Sequence, residues 1–223
     1  MLKRKMYEKM LDWKNTKSKE CLLIKGARQV GKTYLVRELG RREYESFIEI
    51  NFHMQGALKV IFEGDRSAEE IYKRLTANIP GIKLIPGKTL IFLDEIQKCA
   101  NARTALKFLA EDGRYDVIAS GSLLGLAYGK DADAEVEEVE SVPVGYEKSM
   151  MMYSLDFEEF LWAYGYETGT VEYLRSFFDS REKIPPEINQ KFDTLLREYL
   201  VVGGMPEVVA DFMEHKDFRR VQE

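Results

Sequence analysis

The stretch CLLIKGARQVGKTYLVRE, residues 21–38, contains the signals that determine the fold of this chain. Its apolar start at 21–24 predicts a short buried strand, and its last residues predict a helix. Between them, residues 26–33 satisfy the pattern G-x-x-x-x-G-K-[ST], in which a glycine-rich loop joins a strand to a helix. Such a loop binds phosphate, because its backbone N–H groups turn inward around an anion and the helix N-terminus adds further donors.

The sequence therefore predicts a nucleotide site at residues 26–33, which we call the phosphate loop. Lys32 is expected to reach the β- and γ-phosphates and so to take part in catalysis, and Thr33 is expected to offer its hydroxyl to Mg²⁺. The alternative is an ordinary glycine-containing turn before a helix. The expected cofactor-binding residues are Gly26, Ala27, Arg28, Gln29, Val30, Gly31, Lys32, Thr33 and Tyr34.

A second apolar run, residues 89–93, ends in two adjacent acids, Asp94 and Glu95. A continuous apolar run is typical of a strand buried on both faces of a parallel sheet. Ligands bind at the carboxyl ends of such strands, so the acids are expected beside the phosphate loop if the two strands are neighbours. Asp94 is then expected to hold Mg²⁺ together with Thr33, and Glu95 to act as general base on the attacking water. An acidic turn without such a role is the alternative.

A third strand, predicted at 115–122, ends in small polar residues. A hydroxyl at this place can hydrogen-bond the attacking water or the γ-phosphate. Ser120 is the first candidate for this sensor, and Ser122 is the second. A tight Ser-Gly-Ser turn is the alternative. The candidate catalytic residues are therefore Glu95, Lys32, Asp94 and Ser120.

Strand and helix patterns alternate from residue 21 to residue 122, which predicts an α/β fold with a parallel sheet flanked by helices. Helical patterns also precede this region, at 2–14, and follow a last predicted strand at 147–153. A capping box is expected at 67–70. In the helix that begins after Asp156, Glu158 and Glu159 are expected to form a solvated face rather than a catalytic pair.

The composition narrows the classes of function. A formal net charge of −5 argues against broad binding of nucleic acid, although a local basic patch stays open. No run of eighteen apolar residues occurs, so we expect no membrane span. Cys21 and Cys99 belong to no Cys/His cluster, and His53 and His215 are isolated, so we expect reduced thiols in a cytoplasmic protein.

Taken together, the motifs resemble those of a large prokaryotic family of AAA-type ATPases, in which a P-loop ATPase domain precedes a C-terminal domain of unknown function. The resemblance covers nearly the whole chain, and DEIQ and SLDFEEFL are its more specific parts. Family members often have an arginine where Tyr146 stands here. The motifs that carry the resemblance are GARQVGKT, LIFLDEIQKC, IASGSLLG, YSLDFEEFLWAYG and EYLVVGGMPEVV.

The resemblance implies ATP rather than GTP, bound with Mg²⁺, and a parallel sheet in the order 5-1-4-3-2. It implies a P-loop ATPase domain at 1–153, with an N-terminal helix and connector at 1–19, and a small helical subdomain at 154–223. The family's C-terminal domain is largely missing. Because the last residues carry no helix stop signal, we expect the natural protein to continue.

The leading hypothesis is an ATPase that acts as a regulated switch or motor. An alternative is a module that holds ATP and recruits a protein partner or a second copy of the chain, through the acidic stretch 131–140 or the helical tail. A P-loop kinase is less well supported, because the region after Ser122 is acidic rather than arginine-rich. No arginine is assigned by its spacing to stabilise the transferred phosphate, so slow basal turnover is expected. The candidates are Arg66, Arg103, Arg114 and an arginine of a neighbouring subunit.

Overall fold

A computed structural model describes residues 2–16, 20–122 and 145–222 of the chain. The helices are α1 Lys5–Asn15, α2 Lys32–Glu43, α3 Ala68–Asn78, α4 Ala100–Asp112, α5 Phe157–Ala163, α6 Thr168–Ser180, α7 Pro186–Val202 and α8 Pro206–His215. The strands are β1 Cys21–Gly26, β2 Ser46–Asn51, β3 Thr89–Asp94, β4 Asp116–Ser122 and β5 Glu147–Met152. Short 3₁₀ helices cover Gly56–Phe62, Ile96–Lys98 and Arg220–Gln222.

The five strands form one parallel sheet in the order β2-β3-β4-β1-β5. This is the expected order 5-1-4-3-2 read from the other edge, so the prediction of the fold is confirmed. In the register of the sheet, Asn51 of β2 lies opposite Asp94 of β3, and Gly26 of β1 lies opposite Ser122 of β4. Because the strands are parallel, these carboxyl-terminal residues all lie at one edge of the sheet.

The middle of the sheet is buried on both faces, as its apolar runs predict. All six residues of β3 are buried, and Leu22, Leu23 and Ile24 of β1 have no exposed surface. Full burial of one such side chain contributes about 1.5–3 kcal/mol to folding. Helices α3 and α4 cover this core with the apolar residues Ile71, Leu75, Ala105, Leu106 and Leu109. The strand ends that carry polar side chains are thus held by a well-packed sheet.

Contacts between residues divide the described chain into two units. One unit holds the described residues within 8–28 and 32–152 and includes the whole sheet. The other holds those within 1–7, 29–31 and 153–223. In this division, residues 1–7 and 29–31 group with the helical part. The predicted domains at 1–153 and 154–223 stay a prediction.

The helical unit has a small core of its own. It is built around Leu155, Phe160, Val202, Val209 and Phe212, each at most 7% exposed. Helix α5 begins with a capping box in which the Asp156 side chain accepts from the Glu159 N–H, and the Glu159 side chain accepts from the Asp156 N–H. Glu159 is only 5% exposed, so the prediction of a solvated position is wrong for this residue.

Some local expectations also differ from the structure. The capping box expected at 67–70 does not form, because the Ser67 side chain makes no cap hydrogen bond. Instead the Ser67 N–H donates to Asp65 Oδ1 at 2.8 Å, in a turn that competes with the cap. The acidic stretch 131–140 and the connector residues 17–19 lie outside the described residues, so the expectations for them stay predictions.

Both cysteines lie inside the unit that contains the sheet. Cys21 and Cys99 are buried free thiols, and burial raises the pKa of Cys21 to about 12. Within residues 2–16, 20–122 and 145–222, no group of three or more His, Cys, Asp or Glu side chains could hold a metal ion. In the same part of the chain, every helix is too short or too polar to cross a bilayer.

Gly204 lies close to the backbone of Leu155 in the helical unit. Its carbonyl accepts from the Leu155 N–H at 2.7 Å, and a Cβ at this position would lie 2.2 Å from the Leu155 oxygen. We expect Gly204→Ala to lower the free energy of unfolding by about 1–3 kcal/mol, because backbone rather than a movable side chain must give way. Urea unfolding followed by circular dichroism measures this loss.

Gly169 provides the matched control for this prediction. It lies in α6 of the same unit, and a Cβ there would meet nothing within 4 Å. Gly169→Ala is expected to leave stability unchanged or to raise it slightly, since alanine favours helix more than glycine does. Equal stability of the two variants would show that the approach of Gly204 to Leu155 is not tight.

Candidate functional site

The phosphate loop leaves β1 at Gly26 and enters α2 at Lys32. Within it, Gln29 has φ 63° and Gly31 has φ 94°, both in the left-handed region. This conformation is uncommon for a residue with a side chain and easy for glycine, which explains the need for Gly31. Left-handed residues among right-handed ones turn neighbouring N–H groups toward a common concave side, where an anion can bind.

Lys32 is the first residue of α2 and is 8% exposed. Its Nζ donates to the backbone oxygens of Gly26 (3.1 Å) and Ala27 (2.6 Å), so the side chain curls back over the loop. Burial lowers the pKa of Lys32, while the charges of Glu95 and Asp94 act to raise it. A buried ammonium held by neutral carbonyls is well suited to pair with phosphate oxygens, because charged acceptors make stronger hydrogen bonds.

Asp94 ends β3 with a carboxylate that is 2% exposed. Its Oδ2 accepts from Thr33 Oγ1 at 3.0 Å and from Asn51 Nδ2 at 2.8 Å. Its Oδ1 accepts from the Ser120 hydroxyl. Three donors from α2, β2 and β4 therefore fix this carboxylate, as the parallel sheet order requires. Strands β1 and β3 are not neighbours, because β4 lies between them, but the hydrogen bond from Thr33 still places Asp94 beside the start of α2.

The Thr33 hydroxyl and the Asp94 carboxylate fit a magnesium ion. Both are oxygen donors, the kind that Mg²⁺ prefers, and Mg²⁺ in proteins commonly takes one or two carboxylates with water and phosphate oxygens. Adjacent ligands of an octahedral Mg²⁺ ion lie about 2.9 Å apart, given bonds of about 2.0–2.1 Å. The distance between Thr33 Oγ1 and Asp94 Oδ2, 3.0 Å, matches this spacing.

Glu95 follows the strand in a left-handed conformation, with φ 55°. Such a conformation costs about 1–3 kcal/mol for a residue with a side chain and is concentrated at functional sites. The Glu95 side chain is half-buried and accepts from Gln97 Nε2. The negative charge of Glu95 acts to raise the pKa of Lys32. Glu95 directly follows Asp94 at the carboxyl end of β3.

The structure brings together four of the residues expected at the site, namely Lys32, Thr33, Asp94 and Ser120. Ser120 is fully buried and its hydroxyl contacts Asp94, so it is placed to orient this carboxylate. Its role as a nucleotide sensor stays a prediction, as does the role of Ser122 at the end of β4. In the loop and the start of α2, Ala27, Arg28, Gln29 and Tyr34 are exposed, whereas Val30 is buried.

Two polar residues of the site were not expected from the sequence. Asn51 donates to Asp94 across the β2–β3 register, and Gln97 donates to Glu95. Within the described residues, the buried Oε1 of Gln97 has no hydrogen-bond partner. A polar residue at the carboxyl end of β2 was the available signal for Asn51, but it requires knowing that β2 neighbours β3.

Two of the candidate arginines are engaged elsewhere. Arg103 forms a forked ion pair with Glu147, the first residue of β5, with Nη2 at 2.8 Å from Oε1. Arg114 pairs with Asp112 at 2.8 Å, just before the amino end of β4. Both pairs lie at starting rather than carboxyl ends of strands, so neither arginine is placed to contact a nucleotide at the phosphate loop.

Comparisons with known proteins place these observations in a family. A family model described as an AAA domain matches residues 18–161, which is more than half of the chain. A search of curated proteins finds no match. The match spans the phosphate loop and the acid-ended strand β3 and ends within helix α5, and it confirms the resemblance found in the motifs.

Three solved structures match the chain at low identity. The Walker-type ATPase PABY2304 of Pyrococcus abyssi is 15% identical, with a TM-score of 0.49 over 100% of this chain and 70% of that chain. The Pif1 helicase from Candida albicans is 13% identical, with a TM-score of 0.41 over 73% of this chain and 43% of that chain. AMPPCP-bound DnaA from Aquifex aeolicus is 12% identical, with a TM-score of 0.44 over 98% of this chain and 63% of that chain. Similarity at this level carries no functional inference.

Because the family model matches more than half of its residues, the chain belongs to the AAA domain family of P-loop ATPases.

Proposed function

We propose that this chain binds ATP with Mg²⁺ and hydrolyses it to ADP and phosphate, as a regulated switch or motor. One observation carries the proposal: the Thr33 hydroxyl and the Asp94 carboxylate lie 3.0 Å apart at the mouth of the phosphate loop. A hydroxyl from the helix after the loop and an acid from a neighbouring strand are the pair of protein ligands used in P-loop nucleotide hydrolases. Membership of the AAA domain family supports ATP as the nucleotide.

Binding is assigned to the loop backbone and to Lys32. The N–H groups around Gly31 would donate to phosphate oxygens, and the N-terminus of α2 would add its dipole. Lys32 would exchange its bonds with the carbonyl oxygens of Gly26 and Ala27 for bonds with phosphate oxygens. Thr33 and Asp94 would hold Mg²⁺, and the ion would supply positive charge to the phosphate oxygens.

Hydrolysis is assigned to Glu95 and a water molecule. Glu95 accepts a proton as the water oxygen forms a bond with the γ-phosphorus, and the bond from that phosphorus to the ADP oxygen breaks. Lys32 and the loop donors hold the phosphate groups in line with the attacking water. Asn51 and Ser120 keep the Asp94 carboxylate in a fixed orientation through their hydrogen bonds.

We expect slow basal turnover, because two of the three candidate arginines of this chain form ion pairs away from the phosphate loop. An arginine that contacts the transferred phosphate is worth about 10³–10⁵ in rate in P-loop hydrolases. Arg103 and Arg114 are bound to Glu147 and Asp112 instead. We therefore propose that full activity requires a partner or a second subunit that supplies this arginine.

The alternative is a module that holds ATP without significant turnover. The hydrogen bond from Gln97 to Glu95 favours it, because a carboxylate oxygen that accepts from an amide is less available to a water molecule. Recruitment of a partner through the helical tail, or through the stretch 131–140 outside the described residues, would then be the function. The substitution Glu95→Gln, treated in the Discussion, separates the two.

Removing the Lys32 ammonium tests the nucleotide site itself. We expect Lys32→Ala to weaken ATP and ADP binding by about 10- to 100-fold, because a hydrogen bond to a charged group contributes about 1.5–3 kcal/mol. Calorimetric titration with ATP, ADP and GTP, together with a phosphate-release assay, measures the effect. A smaller response to GTP is expected.

Lys88→Ala is the matched control for that substitution. Lys88 pairs with Glu45 and is 57% exposed, at the start rather than the carboxyl end of the strands. Its loss should leave affinity and phosphate release unchanged. If Lys32→Ala bound and hydrolysed ATP as well as this control does, the phosphate loop would have no role in either.

A further inference from the structure

Arg4 is a buried cation outside the site described above. It is 6% exposed and lies just before α1. Its Nη1 donates to the backbone oxygen of Val30 at 3.0 Å, and its Nη2 donates to the backbone oxygen of Tyr153 at 2.7 Å. Arg4 therefore joins the tip of the phosphate loop to the start of the helical part, within one contact unit.

Glu159 holds Arg4 in this position. Its Oε1 lies 3.2 Å from Arg4 Nε, and each side chain is 6% exposed. The same carboxylate accepts from the Lys5 N–H at 2.7 Å and from the Asp156 N–H at 3.2 Å. Two backbone donors thus fix the carboxylate, and the carboxylate in turn balances the charge of the guanidinium. A buried arginine needs such a partner, because an unpaired buried charge is strongly destabilising.

The Val30 carbonyl and the Gly31 N–H belong to one planar trans peptide group and point in opposite directions. Because Arg4 binds the carbonyl, it also sets the direction in which the N–H points. N–H groups of this loop are the expected phosphate donors. Gly31 has φ 94°, in a region where glycine is free to change conformation, so an anchor on the preceding carbonyl restricts it.

We propose that Arg4, held by Glu159, is a positioning residue that orients the Val30–Gly31 peptide for phosphate binding and couples nucleotide binding to the helical part of the chain. This inference rests on the proposed nucleotide site. The coupling is reciprocal, as any coupling of binding free energies must be. Nucleotide binding therefore stabilises the Arg4–Glu159 pair, and a change in this pair alters nucleotide affinity.

The test compares substitutions at Arg4 and Glu159 with a control at Lys5. Arg4→Lys keeps the charge but loses the planar fork that bridges two carbonyls. We expect it to raise the Kd for ADP about tenfold, the effect of losing one charge-assisted hydrogen bond. Glu159→Gln keeps the shape of the side chain and releases the guanidinium, so its Kd should change in the same direction. Binding is measured by calorimetry well below the melting temperature of each variant.

Lys5→Gln is the matched control for Arg4→Lys and Glu159→Gln. It removes ion pairs between the N-terminal segment and the start of α5 and leaves the contact of Arg4 with the phosphate loop in place. Lys5 Nζ pairs with Asp156 at 2.7 Å and with Glu158 at 2.6 Å. The substitution Lys5→Gln should lower the melting temperature and leave the Kd for ADP unchanged. If Arg4→Lys also lowered only the melting temperature, the positioning role would be refuted. Failure of the wild-type protein to bind ADP would refute the nucleotide site instead, so the two failures are distinct.

Hydrogen exchange of the wild-type protein gives a test that needs no substitution. Addition of ADP and Mg²⁺ should slow exchange at the Lys5 and Glu159 amides as well as in the phosphate loop. Helix α6 lies in the same contact unit and makes no hydrogen bond to this pair, so its exchange should not change. Slower exchange in the loop alone, with residues 2–7 unaffected, would overturn the proposal even if the variants fail to fold.

Discussion

The substitution Glu95→Gln is expected to slow ATP hydrolysis by about 10²- to 10⁴-fold, the usual contribution of a general base. Glutamine preserves the size of the side chain but cannot accept a proton from water. Affinity for ATP should persist, because Lys32, Thr33 and the loop backbone are unchanged. Single-turnover hydrolysis and ATP titration measure the two quantities separately, and the variant should be isolated with ATP bound.

Glu45→Gln is the control, since Glu45 is 58% exposed and pairs with Lys88 at the start of β2. If the protein is a hydrolytic switch, Glu45→Gln should hydrolyse ATP at the wild-type rate, and Glu95→Gln should keep ATP bound without hydrolysing it. If the protein only holds ATP, both variants should bind ATP and release phosphate as the wild-type protein does. Loss of ATP affinity in Glu95→Gln would mean that Glu95 acts in binding rather than in proton transfer.

The strand ends of the site were predictable because each is encoded in a contiguous stretch. An apolar run that stops at polar residues identifies both a buried strand and the polar residues near its carboxyl end, which is how Asp94 and Ser120 were singled out. The phosphate loop was found because its glycine spacing reflects a local backbone requirement. Parallel strands then bring these ends to one edge without further information from the sequence.

The remaining contacts depend on pairings that a local pattern does not contain. Asn51 became part of the site through the register of β2 with β3. Burial of Glu159 could not be read from α5, because a helix of seven residues is too short to define a buried face by periodicity. Its partner Arg4 lies near the other end of the chain. Long-range ion pairs of this kind leave no signal in the spacing of either residue.

The substitution Asp94→Asn is expected to remove the effect of Mg²⁺ on ATP binding and to slow hydrolysis by about 10²- to 10³-fold. A bound metal supplies several kcal/mol of charge stabilisation in the transition state, and about 1.36 kcal/mol is a factor of ten in rate. An asparagine fits the same space, its oxygen accepting from Thr33 and Asn51 while its amide turns to the Ser120 hydroxyl. The fold should therefore survive, and the loss should be one of charge alone.

Titration of ATP at increasing Mg²⁺ concentration, beside the same titration in a chelator, isolates this effect. Wild-type and variant affinities should agree in the chelator and diverge as Mg²⁺ rises. Asp116→Asn is the matched control, because Asp116 begins β4 at the opposite edge and accepts from the Tyr44 hydroxyl at 2.7 Å. That control should change stability only. An Asp94→Asn variant whose affinity still rises with Mg²⁺ would place the metal away from Thr33 and Asp94, and the proposed mechanism would lose its central contact.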